Sequence, residues 1–208
     1  MIGEDNPETR YEELKGEYLF RIEDDWPFSE KTWEKWSSDQ EQGKSAIWFT
    51  FDGFFWFPRT IFGIEKHLYA FYDCPKLMHK MNDDLSDWML KMIEKLCKNH
   101  RPDFMTFAED LSYNNGPMLS EDMFDEFMLP YYKKVIPELK KRGIKVFIDS
   151  DGNVNNAAKW FERAGIEGIL PLEKQAGADL SLIRKESPNM LFIGAFDKMT
   201  MSTGEEAM

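Results

Sequence analysis

Short apolar segments alternate with helical patterns along most of the chain, and each of these segments ends in a carboxylate. The apolar segments cover residues 46–51, 104–108, 145–148, 168–172 and 191–196. The acids that end them are Asp52, Glu109, Asp110, Asp149, Asp151, Glu173 and Asp197. Strands separated by helices form right-handed βαβ units, which build a parallel sheet. The pattern therefore predicts an α/β fold with about five βα units.

The positions of the acids predict where chemistry should occur. In a (β/α)8 barrel the carboxyl ends of the strands converge on one face, and that face carries the active site. Any single acid after a strand can be ordinary turn chemistry, but acids after all five strands are harder to explain in that way. We expect Glu109, Asp149, Asp151 and Glu173 at this face. Because a closed barrel needs eight strands, the predicted fold is a (β/α)8 TIM-barrel type that is incomplete.

The repeating pattern begins at residue 46 and divides the chain in two. Residues 1–45 are polar and rich in aromatic side chains without a clear period, so they are predicted to form an irregular, partly helical N-terminal segment. Residues 46–208 are predicted to form the partial barrel. Met208 falls inside an unfinished βα unit, which favours a piece of a longer protein over a complete barrel.

Two long helical patterns connect the strands. The first has apolar residues every three or four positions from Leu77 to Leu96, with Asp73 as the expected N-cap and Pro75 in the first turn. The second is expected to begin after Ser120 and to stop at residues 140–143. A kink or break is predicted within it, because Pro130 and Pro137 fall inside the pattern.

The charge of the chain restricts its partners. There are 26 Lys and Arg against 38 Asp and Glu, which gives a net charge of −12. This balance excludes a binder that depends on a cationic face for nucleic acid or an anionic membrane. No apolar run approaches the roughly 20 residues that span a bilayer, and no export signal is visible. We therefore expect a cytoplasmic protein in which Cys74 and Cys97 are reduced thiols.

Other motifs near the acids carry less weight. Residues 146–152 resemble the first motif of haloacid-dehalogenase-type phosphatases, but that motif normally opens its domain. An EF-hand reading of the segment from Asp151 fails, because Asn156 stands where glycine is required. The histidines lack the spacing of metal ligands, and His67 and His79 are predicted on helix surfaces.

A longer set of ordered motifs resembles the uroporphyrinogen decarboxylase superfamily, whose fold is a (β/α)8 barrel. The residues that carry the resemblance are Glu109-Asp110, Gly116-Pro117-Met118-Leu119-Ser120, Phe127-Met128-Leu129-Pro130-Tyr131, Asp149-Ser150-Asp151-Gly152-Asn153, Ala164-Gly165-Ile166, Pro171-Leu172-Glu173, Ala176-Gly177-Ala178-Asp179 and Ile193-Gly194-Ala195-Phe196-Asp197-Lys198. A weaker resemblance extends upstream, over residues 53–63 and 71–75. These motifs follow one another over roughly ninety residues, with the spacing of barrel strands.

The resemblance implies two chemistries. Decarboxylases of the superfamily remove acetate carboxyls from a tetrapyrrole without a cofactor, using an Asp, arginines and a Tyr. Their relatives that work with corrinoid proteins transfer methyl groups to a thiol activated on zinc, which His-x-Cys and a later Cys hold. The His-x-Cys falls on Asp149-Ser150-Asp151 here, so the soft ligands of a thiolate-type zinc site are missing. If a divalent metal binds at all, the expected ligands are the oxygens of Asp149 and Asp151.

From the residues and the resemblance together we expect a decarboxylase acting on a tetrapyrrole or another small anionic molecule. The predicted catalytic residues are Asp149, Asp151 and Glu109, with Asp149 as proton donor or ligand. The predicted substrate-binding residues are Arg59, Asp110, Glu173, Asp197 and Lys198, with Arg59 as the clamp for a substrate carboxylate. Two alternatives remain: a methyltransferase or demethylase component that needs a corrinoid protein as partner, and an inactive truncated fragment. A homodimer is also compatible with the sequence.

Overall fold

Five strands of the described residues form a parallel sheet. The computed structural model describes residues 6–22 and 29–203, with side chains up to residue 200. In the order in which they lie side by side, the strands of this sheet are β1 (Trp48–Asp52), β2 (Phe104–Ala108), β5 (Lys145–Asp149), β6 (Gly168–Leu170) and β7 (Leu191–Phe192). A small antiparallel hairpin of β3 (Ser112–Tyr113) and β4 (Gly116–Pro117) follows β2.

The register of this sheet brings the strand ends level. Asp52 pairs with Ala108, Ala108 pairs with Asp149, and Asp149 pairs with Leu170. The carboxyl ends of four strands therefore lie side by side, and we call this side of the sheet the carboxyl edge. The predicted α/β fold, a partial (β/α) barrel, is confirmed. Within the described ranges the sheet does not close, and β1 and β7 are its two outer strands.

Helices precede, connect and cover the strands. They are α1 (Pro7–Glu17), α2 (Glu30–Glu41), α3 (Trp56–Phe62), α4 (Ile64–Asp73), α5 (Pro75–Cys97), α6 (Glu121–Phe127), α7 (Leu129–Lys141), α8 (Ala158–Ala164) and α9 (Leu180–Glu186). Short 3-10 helices span Lys174–Ala176 and Lys198–Thr203. None of the helices in the described part of the chain has the length and apolar character to cross a bilayer.

The helix boundaries follow the local sequence with one difference. The Ser120 side chain accepts a hydrogen bond from the Met123 N–H, as expected of an N-cap. The predicted Asp73 cap is wrong, because Asp73 ends α4 and Cys74 precedes Pro75 at the start of α5. The predicted break occurs at Met128, which places Pro130 in the first turn of α7, where its missing N–H costs little. Pro137 lies inside α7 without ending it.

The core lies between the sheet and the long helices. Helix α5 packs on α7, α3 and α6, and α7 packs on β5. From the N-terminal part, Tyr11 of α1 is fully buried, and its hydroxyl donates to Asp84 of α5 at 3.1 Å. The division of the chain at residue 46 stays a prediction.

One histidine lies in an environment opposite to the predicted one. His67 was expected on a helix surface, but its side chain is fully buried. Helix α4 turns His67, Ala70 and Phe71 inward and leaves Tyr69 and Tyr72 exposed. The spacing of the buried residues is the ordinary i, i+3, i+4 of an amphipathic helix. The prediction was wrong because it treated histidine as a surface residue, whereas the imidazole ring of His67 belongs to the buried face of this helix.

Candidate active site

Four carboxylates from the ends of three strands gather at the carboxyl edge. We call Asp110, Asp149, Asp151 and Glu173 the acid cluster. The backbone oxygen of Asp149 accepts hydrogen bonds from the N–H groups of Glu109 at 2.8 Å and Asp110 at 3.4 Å. The Asp110 side chain accepts from the Asp151 N–H at 3.1 Å. These bonds join the loops after β2 and β5, so acids that are far apart in the sequence become neighbours.

Partial burial and the nearby like charges raise the pKa of two of these groups. The pKa of Asp149 is raised above its ordinary value by partial burial first and then by the charges of Asp110 and Asp151. The pKa of Asp151 is raised by partial burial, by Glu173 and by Asp110, while Lys198 opposes the rise. A carboxyl group with a raised pKa retains its proton at a higher pH, which suits a proton donor.

Glu173 has the opposite environment. Its side chain pairs with Lys198, and its other oxygen accepts from the Gly152 N–H at 2.9 Å. The hydrogen bond from Lys198 is the largest of the effects that lower the pKa of Glu173. Glu173 is therefore an ionised member of the cluster whose charge Lys198 offsets. The pair also connects the loop after β6 to the 3-10 helix after β7.

Arg59 places a cation beside the acid cluster. It lies in α3, directly after β1, and its Nη1 donates to the backbone oxygen of Asp110 at 3.0 Å. Its guanidinium carbon lies 5.0 Å from the centre of the Trp56 ring. This contact restricts the rotamers of the arginine and leaves further N–H donors for another acceptor. Arg59 and Asp149 thus both make a hydrogen bond with the backbone of Asp110.

Two other predicted acids lie apart from these contacts. Asp197 accepts from the Met199 N–H at 3.1 Å, so its carboxylate starts the last 3-10 helix. Asp52 borders an aromatic cavity of about 890 Å³ beside β1 that Trp48, Phe57 and Trp88 also line. No member of the acid cluster lines this cavity. The structure therefore brings together four of the seven predicted acids and leaves Asp52 and Asp197 at the margin.

Glu109 occupies a different position from the one predicted. Its side chain is fully buried beneath the carboxyl edge, where it accepts backbone hydrogen bonds from Phe54 at 2.7 Å, Phe55 at 2.8 Å and Trp56 at 3.1 Å. The Tyr132 hydroxyl also donates to it. Burial raises the pKa of Glu109 to about 7, although these four donors favour its ionised form. Glu109 thus connects elements of the fold instead of facing an open site.

Backbone strain is concentrated at the same edge. Asp110 has a φ of 40°, Leu172 one of 56° and Ala195 one of 64°, and these residues follow β2, β6 and β7. A left-handed conformation costs a residue with a side chain roughly 1–2 kcal/mol. Such conformations persist where the surrounding structure enforces them, and they are frequent at binding and catalytic sites. Their positions support a functional carboxyl edge.

No metal-binding arrangement accompanies the acids in the part of the chain that the structure describes. There, no three His, Cys, Asp or Glu side chains are grouped so that they could hold an ion. The predicted metal ligation by Asp149 and Asp151 stays a prediction.

Tyr132 is the main residue of this region that the sequence analysis missed. It was indistinguishable there from the other apolar positions of its helix. Only a pairing with Glu109, far away in the sequence and in a different element, distinguishes it. The sequence contains no local signal for that contact.

The comparisons with known proteins agree with the fold. The model of the uroporphyrinogen decarboxylase (URO-D) family matches residues 59–208, which is most of the chain. A solved structure, a methyltransferase from Methanosarcina mazei, superposes with a TM-score of 0.55 at 16% identity. That match covers 75% of this chain and 44% of the methyltransferase, so the chain spans less than half of that protein. No curated protein matches the chain. The match over residues 59–208 shows that the chain belongs to the uroporphyrinogen decarboxylase family.

Proposed function

We propose that the carboxyl edge catalyses decarboxylation of a small anionic substrate of the tetrapyrrole type, without a cofactor. The observation that carries the proposal is that Arg59 and Asp149 both contact the backbone of Asp110: Arg59 donates to its oxygen, and the Asp149 oxygen accepts from its N–H. Decarboxylation needs a cation that fixes the substrate carboxylate and an acid that protonates the carbon left behind. Membership of the URO-D family supports this chemistry.

The proposed reaction uses one proton from the protein. Arg59 donates hydrogen bonds to one carboxylate of the substrate, a geometry that guanidinium groups favour. The bond between that carboxylate and its carbon breaks, CO2 leaves, and the electron pair remains on the side-chain carbon next to the pyrrole ring. Asp149 then transfers its proton to this carbon, and a methyl group forms. Water returns a proton to Asp149, so no oxidant or reductant is required.

The other residues of the edge modify this step. Partial burial, and after it the charges of Asp110 and Asp151, keep the pKa of Asp149 raised, so that its proton is available. Lys198 offsets the charge of Glu173 and is a second cation for a substrate with several carboxylates. Without Arg59 and Lys198, the acid cluster would repel such a substrate. Asp197 stays a proposed contact at the margin of the site.

Methyl transfer is the second candidate, because the superposed structure is a methyltransferase. In this alternative the same edge would bind a methyl donor, and a corrinoid protein would be the partner. The two candidates differ in what they consume. Decarboxylation needs neither a methyl donor nor a partner protein, whereas methyl transfer stops without them.

One experiment separates the candidates. The protein is incubated without oxygen with uroporphyrinogen, and the products are oxidised and separated by chromatography according to their number of carboxyl groups. We expect products with fewer carboxyl groups from the wild type and none from Asp149→Asn. Asp122→Asn, an exposed acid of α6, is the matched control and should retain full turnover.

A parallel reaction contains a methylated corrinoid protein and a thiol in place of uroporphyrinogen. Methyl transfer in this reaction, together with an absence of decarboxylated products in the first, would replace the proposal with the second candidate. Full turnover of uroporphyrinogen by Asp149→Asn would remove Asp149 from the mechanism. If folded wild-type protein is inactive in both reactions, the decarboxylase proposal is wrong for this chain and the inactive-fragment alternative is favoured.

A further inference from the structure

Tyr132 and Glu109 form a buried polar pair inside an aromatic environment. Both side chains are fully buried, and the tyrosine hydroxyl donates to Oε1 of Glu109. The ring of Tyr132 meets Phe54 and Phe107 edge-on, with centroids 4.9 and 5.1 Å away. The packing fixes the ring on both sides. The hydroxyl therefore has a defined position, and so does the carboxylate that accepts from it.

The same carboxylate holds the turn between β1 and α3. Oε1 accepts from the Phe54 N–H, and Oε2 accepts from the N–H groups of Phe55 and Trp56. These are N–H groups at the start of a helix, which have no partner within the helix itself. Glu109 is thus the acceptor for three consecutive amides, and it determines where α3 begins.

Helix α3 carries Arg59 to the acid cluster. Arg59 lies one helical turn after Trp56, and its guanidinium lies over the Trp56 ring. Its Nη1 reaches the backbone oxygen of Asp110, the residue that follows Glu109 in the chain. A continuous series of contacts therefore runs from Tyr132 through Glu109 and α3 to Arg59. The contacts form a closed ring, because Asp110, which Arg59 contacts, is bonded to Glu109 through the backbone.

We propose that Tyr132 and Glu109 are positioning residues that set the place of Arg59 beside Asp110. The role of Arg59 as a substrate contact rests on the proposed function, whereas the positioning itself does not. Both oxygens of Glu109 are engaged and the group has no exposed surface, so it acts through α3 and not on a substrate. Neither Tyr132 nor Glu109 contributes a side chain to the acid cluster, so this role is separate from those of the acids.

The test measures the position of Arg59 without any substrate. Arginine side chains are modified with phenylglyoxal, and the rate at each arginine is followed by mass spectrometry of peptides. Tyr132→Phe removes the hydroxyl and keeps the ring. The matched control is Tyr131→Phe, because the Tyr131 hydroxyl donates to the backbone oxygen of His79 on another side of α7. Arg184, which lies over Phe192 far from the pair, is the internal reference.

We expect the modification rate of Arg59 to rise several-fold in Tyr132→Phe and to stay at the wild-type value in Tyr131→Phe, with Arg184 unchanged in both. Hydrogen exchange at the amides of Phe54, Phe55 and Trp56 should accelerate in the same variant. An unchanged Arg59 rate and unchanged exchange in folded Tyr132→Phe protein would overturn the proposal. Equal changes at Arg59 and Arg184 would also overturn it, since they would indicate a general loosening of the protein.

Two further measurements keep the proposal testable if Tyr132→Phe fails to fold. Glu109→Gln should accelerate the same amides, because an amide group cannot accept from all four donors. In the wild type these three amides should exchange as slowly as amides inside α5, and rapid exchange there would contradict the proposal. The modification and exchange measurements use no substrate, so their outcome does not depend on turnover. Failure of the proposed function and failure of the positioning are therefore distinguishable.

Discussion

The carboxyl group of Glu109 fills the space in which any other residue at position 53 would carry its Cβ atom. A Cβ built on Gly53 would overlap the carboxyl carbon and both oxygens of Glu109. Gly53 also donates its N–H to the Ala108 oxygen at 2.7 Å, which continues the pairing of β1 with β2. The end of β1 and the end of β2 can approach only because position 53 has no side chain.

Gly53→Ala should therefore destabilise the protein by about 1–3 kcal/mol, the usual cost of overpacking a dense interior. Glu109 would have to move and would lose some of its backbone partners. The matched control is Gly16→Ala, because Gly16 lies in α1 with nothing near its Cβ position. That change should stabilise the helix by about 0.5–1 kcal/mol. Urea unfolding of both variants measures the difference, and an unaltered stability in Gly53→Ala would contradict this account of the turn.

Glu109→Ala should lower the free energy of unfolding more than most substitutions at the surface do. It leaves three backbone N–H groups and the Tyr132 hydroxyl without their acceptor. Each buried group that loses its partner costs about 1–3 kcal/mol, and water that enters the space reduces the total. We expect a loss of about 2–4 kcal/mol in the free energy of unfolding, against about 0.5 kcal/mol or less for the exposed control Glu65→Ala. Similar losses in the two variants would show that Glu109 is not an anchor.

His67 makes stability depend on pH in a defined direction. Burial lowers the pKa of His67 to about 3, and Arg59 adds to this effect. Neither ring nitrogen has a hydrogen-bond partner among the described residues. Between pH 3 and the ordinary histidine pKa of about 6.5, the unfolded state therefore binds a proton that the folded state does not. The contribution of neutral His67 to stability is present above about pH 6.5 and is lost as the pH falls.

The measurement compares the wild type with His67→Phe, which keeps a ring between Phe55 and Phe71 without a titrating group. Relative to this variant, the wild type should lose stability steadily from pH 7 to pH 4. Glu109 changes the stability of both proteins in the opposite direction. Its raised pKa stabilises the folded state as the pH falls. The difference between the two proteins removes that contribution. A difference that does not vary with pH would contradict the buried neutral state of His67.

The sequence was sufficient to predict the order of the strands and helices and the clustering of the acids at one edge of the sheet. Strands and helices alternate with clear periods, and parallel strands must present their carboxyl ends at one side. This geometry brings Asp110, Asp149 and Glu173 together without any knowledge of the packing. The N-cap at Ser120 and the stop after α7 were equally predictable, because capping depends on local residue types.

The sequence could not separate the roles of two adjacent acids. Glu109 and Asp110 both follow β2, and nothing local indicates which of them enters the core. The choice depends on the missing side chain at Gly53 and on the hydroxyl of Tyr132, which belong to different elements. The buried His67 is a similar case, since its burial follows from the packing of α4 and not from its residue type. These are tertiary effects, and a single sequence does not contain a local signal for them.

The most direct test of the central claim is the titration of the Asp149 carboxyl by carbon NMR, in the wild type and in Asp110→Asn and Asp151→Asn. We expect Asp149 to titrate above the ordinary range of aspartate in the wild type. Its pKa should fall in each variant, because each removes one of the two charges that raise it. Glu138, at the C-terminal end of α7, has its pKa lowered by the hydrogen bond from Arg142 and should titrate identically in all three proteins. An Asp149 that titrates at its ordinary value and does not respond to either substitution would contradict the acid cluster and the proton donor proposed from it.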